Sequence, residues 1–151
     1  MLKFLRDHKG NFSVKSILLT TLIGNSVYAS DEWGDHFKDI PTALKTVSNR
    51  INSFLQANFL MPEICNPVLD GESFTRHWDQ DKYTHFREMF DLYNSRINEA
   101  FEETEHNASV KKWRKLFGDN FGELKSKTQN NGGASAIAST RVVTPRKPYA
   151  R

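Results

Sequence analysis

Residues 79–105 read DQDKYTHFREMFDLYNSRINEAFEETE, and within them Tyr83, Phe86, Phe90, Tyr93, Ile97, Ala100 and Phe101 recur mostly at intervals of three and four. That spacing lines one face of an α-helix, whereas a strand would need alternation. The stretch predicts a long helix from Asp79 to about Glu105 whose apolar stripe faces a core. Beyond it, Val110, Trp113, Leu116 and Phe117 predict a short packed helix over about Ser109 to Phe117. Gly118 is expected to end that helix in the left-handed conformation. On the other side, Pro62, Pro67 and Gly71 interrupt residues 59–78, which read as a structured loop too irregular for a strand pair.

Ahead of that loop, Asp39-Ile40-Pro41 is a helix start, because Asp39 can accept free backbone N–H groups and Pro41 is tolerated in a first turn. Ile40, Leu44, Val47, Ile51, Phe54, Leu55 and Asn58 follow at helical spacing, apolar except the last, so this helix is expected to run to about Ala57. A buried amphipathic helix is expected from about Val14 to Ile23, after the end of another over Met1 to His8. No segment alternates convincingly. The expected fold is an all-α helical bundle over residues 1–124, one domain of a 151-residue, 17.4 kDa chain.

The net charge of +3 divides unevenly. Residues 125–151 hold six basic and no acidic side chains, leaving fifteen basic against eighteen acidic, a net of −3, in residues 1–124. The tail also contains Gln129-Asn130-Asn131-Gly132-Gly133, a composition that buries too little apolar surface to offset ordering entropy. It is expected to be a flexible basic tail. Nucleic acid is not the expected partner, because no aromatic residues interleave with those charges. A single cysteine, Cys65, excludes an internal disulfide and favours a reducing, cytoplasmic setting. No run reaches the length of a membrane span. The competing reading is a secreted helical binding protein with a signal peptide over residues 1–29, since basic residues precede Ile17–Ile23 and Val27-Tyr28-Ala29 resembles a cleavage site. The long charged leader containing Asp7, and the short run broken by two threonines, argue against it.

Phosphate-loop, zinc-protease and nucleophile-elbow motifs are all absent from the sequence. His8, His36, His77, His85 and His106 are scattered, and none is paired by motif with a nucleophile. Asp31, Glu32 and Asp35 have metal-ligand chemistry, but in a connecting segment they read first as solvated or capping groups. Two Asn-x-Ser triplets, at Asn11 and Asn107, matter only for a secreted chain. No catalytic residue and no metal ligand is assigned. Lys3 and Ser16, on consecutive helices, offer a point charge and a hydroxyl suited to a polyphosphate, although a solvated lysine and a helix-bonded serine have the same spacing.

Three further groups of residues carry a family resemblance. Met1 to His8 together with Phe12 to Leu22, then Asn66-Pro67-Val68, Asp70, Phe74-Thr75 and Trp78-Asp79, then Ser109 to Gly118, resemble the helical C-terminal part of the bacterial cGAS/DncV-like nucleotidyltransferases. These enzymes make cyclic-oligonucleotide second messengers in antiphage defence. The likeness covers about residues 1–122. It implies a nucleotide-binding lobe in which Lys3 and Ser16 contact the triphosphate of a nucleoside triphosphate and Asp70 lies near a bound base. The full-length family uses Mg²⁺ held by carboxylates of a catalytic lobe that also carries a Gly-Ser turn, and neither is recognisable here. Met1 falls where the family has the inside of a helix. The expectation is therefore a fragment, lacking the catalytic lobe and inactive alone.

Overall fold

The structure, a computed structural model, describes residues 1–125. Five α-helices follow one another in it: α1 (Leu2–Lys9), α2 (Ser16–Asn25), α3 (Ile40–Ala57), α4 (Gln80–Glu102) and α5 (His106–Phe117). Two short 3-10 segments, Ala29–Trp33 and Asp35–Phe37, join α2 to α3. The expected all-α bundle is observed, with no strand among the described residues. The expected flexible tail lies outside the described residues except for Lys125. That residue's N–H donates to Asn107 Oδ1 at 2.8 Å and its carbonyl accepts from Asn107 Nδ2 at 3.0 Å.

α4 is the central element, with α3 and α5 packed against it, α2 against α3, and α1 against α5. Asp79 starts α4 by accepting the Lys82 N–H at 2.8 Å. Its predicted stripe, from Tyr83 to Ala100, is buried. Phe101, expected in that stripe, instead faces outward beneath the Lys45 ammonium, 4.6 Å from the ring centroid. α3 starts as expected, with Asp39 accepting the Thr42 N–H at 2.8 Å. Leu44, Val47, Ile51 and Leu55 are buried, but Ile40 is 68% and Phe54 40% exposed. Ile40 occupies the first helical position, and Phe54 lies about 65° from the centre of the Leu44, Val47, Ile51 and Leu55 stripe at 100° per residue, at its edge. At the other end, the buried Tyr83 hydroxyl donates to the Asn58 carbonyl at 2.6 Å and the Leu55 carbonyl at 3.2 Å, tying the exit of α3 to α4.

Several boundaries depart from the periodicity. α2 begins at Ser16 rather than Val14, because Lys15 is extended (φ −62°, ψ 140°) while Val14 is already buried. α4 stops at Glu102 and α5 begins at His106 rather than Ser109. Glu105 causes this: its carboxylate accepts the N–H groups of Asn107 and Ala108. Ser109 is interior to α5 and donates to the Ala100 carbonyl at 2.8 Å. Gly118 has positive φ (91°), but ψ of 164° leads the chain away extended, so the expected left-handed helix end is not formed there. A left-handed helix end is found at Gly10 (φ 62°, ψ 6°), which closes α1. The loop between α3 and α4 contains one antiparallel bridge, Cys65 to Ser73, with the Phe74 N–H donating to the Ile64 carbonyl at 2.8 Å.

Candidate functional site

The α1–α2 hairpin carries two of the three residues singled out from sequence. Its connector is fastened to α4: Phe12 is 5% exposed, with its ring centroid 5.9 Å from Phe86 and 5.5 Å from Tyr93. Next to it, Asn11 Oδ1 accepts the Tyr93 hydroxyl at 2.8 Å, and the Asn11 carbonyl bonds His85 Nε2 at 2.7 Å. The connector therefore fixes how α1 meets the start of α2.

At that meeting Arg6 Nη1 donates to the Val14 carbonyl at 2.8 Å and to Ser16 Oγ at 3.0 Å. Asp7 balances part of its charge at 2.7 Å. Lys3 lies one turn earlier on the same side of α1 and is exposed. Ser16 is the first residue of α2, whose N-terminus receives no side-chain cap. Its first-turn N–H groups present the positive end of the helix, a place suited to an anion. Sequence reasoning missed Arg6, although its position three residues after Lys3 was a usable signal. Asp70 is elsewhere: it is exposed in the turn closed by the Glu72 N–H on the Leu69 carbonyl at 3.3 Å. Among the described residues no hydrogen bond connects Asp70 with Lys3 or Ser16.

Apolar surface surrounds the beginning of α1. A groove of about 340 Å³ is lined by Met1, Phe4, Phe117, Asn120 and Phe121. A second, of about 230 Å³, lies between Met1, Leu2, Ile23 and the Ile40, Leu44 and Val47 face of α3. These grooves have few polar groups and suit a packing surface better than a reaction centre.

Asp31 has a structural role. Arg50 grips it with two bonds of 2.7 Å, donates also to the Ser26 carbonyl at 2.9 Å, and lies over the Tyr28 ring at 4.5 Å. The Arg50 bonds, helped by the Tyr28 N–H, lower the Asp31 pKa to about 2. Glu32 and Asp35 remain exposed nearby. Among the described residues no three His, Cys, Asp or Glu side chains form a group able to hold a metal. The histidines are dispersed in space as well. His8 stacks on Phe4, and His106 bonds the Glu123 carbonyl at 3.0 Å. No helix among the described residues is long and apolar enough to cross a membrane.

Comparison with protein-family models and with the curated proteins finds no match for this chain.

Proposed function

We propose that this helical unit is the substrate-binding lobe of a cytoplasmic cGAS/DncV-like nucleotidyltransferase that makes cyclic-oligonucleotide second messengers in antiviral defence. The observation that carries the reading is the placement of Ser16 Oγ 3.0 Å from the Arg6 guanidinium at the uncapped start of α2, one turn along α1 from the exposed Lys3. A phosphate at the start of α2 meets open backbone N–H groups with the Lys3 charge on the neighbouring helix, while the Arg6 guanidinium is committed to Asp7, Val14 and Ser16. In this reading Lys3 and Ser16 hold the triphosphate, Arg6 keeps Ser16 in place, and Asp70, on the separate loop between α3 and α4, is assigned to the base by the family resemblance alone. Mg²⁺ would belong with the carboxylates of a catalytic lobe such as the family carries, since the groups gathered here fit an anion. The apolar grooves beside Met1 are a surface such a lobe can cover. This polypeptide alone forms no oligonucleotide product.

The secretion alternative would remove Leu5, Phe12, Leu18, Leu19 and Leu22, all of them buried in the core. Amide-shift titration of the chain with ATP and GTP tests the proposal. Saturable shifts are expected at residues 3, 6 and 16, weakened at least about tenfold in Lys3→Ala by loss of one charge-assisted contact. Shifts that bypass these residues, or persist unchanged in Lys3→Ala, refute it.

A further inference from the structure

A second concentration of positive charge lies between α4 and α5, in a groove of about 350 Å³ lined by Arg96, Glu99, Lys112 and Lys115. Lys112 and Lys115 are three residues apart on α5, as Arg96 and Glu99 are on α4, so each pair shares one helix face. Lys112 is already engaged: its ammonium is 2.7 Å from Glu103 Oε2 and 3.3 Å from the Glu99 carbonyl. Among the described residues, the Arg96 and Lys115 side chains make no hydrogen bond and no ion pair. Arg96 lies 5.8 Å from the Tyr93 ring centroid, a contact that orients the guanidinium without cancelling its charge. Lys9 of α1 donates to the Lys115 carbonyl and brings another cation to the last turn of α5.

Like charges held around one groove repel each other, and an anion placed between them reverses that term. A planar guanidinium facing an ammonium matches phosphate oxygens in both geometry and charge. Glu99 also lines the groove and Glu103 neutralises Lys112, so the unpaired positive charge is confined to Arg96 and Lys115, a patch matched to a short anion rather than to an extended nucleic-acid backbone. The basic segment 125–151, with no acidic side chain, is electrostatically unsuited to fill it. We infer that this groove binds a small polyphosphate anion through Arg96 and Lys115, with Lys112 as a supporting charge. The site is separate from Lys3 and Ser16 and does not depend on the nucleotidyltransferase reading.

The test is an amide-shift titration of the full chain with inorganic triphosphate, alongside Arg96→Gln/Lys115→Gln, Glu99→Gln and Lys3→Ala. These substitutions lie on exposed positions, and circular dichroism checks that helicity is retained. Residues 96–99 and 112–115 are expected to shift together and saturate. Affinity at that group falls by at least about tenfold in the double variant, rises severalfold in Glu99→Gln as one repelling charge goes, and stays unchanged in Lys3→Ala. Equal affinity in the double variant, no gain in Glu99→Gln, or tighter binding of a DNA duplex than of triphosphate at the same salt overturns the inference. A response confined to residues 3–16 also overturns it, while leaving the α1–α2 proposal standing.

Discussion

Phe12→Ala isolates the contact on which the α1–α2 hairpin depends. A Phe this deeply buried removes on the order of 200 Å² from water. At about 25 cal/mol/Å², discounted for the compactness of the unfolded chain and for the methyl that Ala retains, transfer accounts for roughly 3 kcal/mol. The rings of Phe86 and Tyr93, at 5.9 and 5.5 Å, lose their tilted partner and contribute about another 1 kcal/mol. The expected loss is about 4 kcal/mol, within the usual range for emptying a buried Phe site and a large part of a small domain's stability. Urea unfolding followed by far-ultraviolet circular dichroism measures it, with a lower midpoint and an unchanged slope if unfolding stays two-state. Phe12→Leu is expected to lose less than half as much. A loss below about 1 kcal/mol in Phe12→Ala would mean that the connector is not packed on α4, and the reasoning about Arg6 and Ser16 would fall with it.

Tyr83→Phe removes the hydroxyl shared by the Asn58 and Leu55 carbonyls, and is expected to cost about 1–2 kcal/mol in the same assay; a neutral result would show those carbonyls satisfied without it. Asp31 makes stability depend on acid. Its pKa falls from 3.8 to about 2 on folding, so its stabilisation is present above the unfolded value and is lost as pH drops through that window. Asp31→Asn is expected to lower the melting temperature at neutral pH and to narrow its gap from wild type between about pH 4 and 2; a gap independent of pH would contradict the Arg50 pairing.

Local regularity was readable along the chain. The repeat from Tyr83 to Ala100 identified α4 and set its start at Asp79, and Asp39 was read as the cap of α3, because periodicity and capping involve residues at most a few positions apart. The same locality produced the errors. Phe101 and Phe54 satisfy the spacing, yet each falls at the edge of its helix's buried face and is left exposed. α5 was begun too late, since the capping power of Glu105 appears only once Glu103 and Thr104 leave helical geometry. For the candidate site, sequence nominated Lys3, Ser16 and Asp70, but not Arg6, whose side chain bridges ten residues from α1 to Ser16. Nor did it pair Asp31 with Arg50, nineteen residues away, or set Arg96 across a groove from Lys115. By itself the sequence determined the helices and most of their buried faces, through interactions that repeat every turn. Which charges meet was decided only by tertiary structure, because packing α1, α4 and α5 together sets distances between side chains that no spacing along the chain encodes.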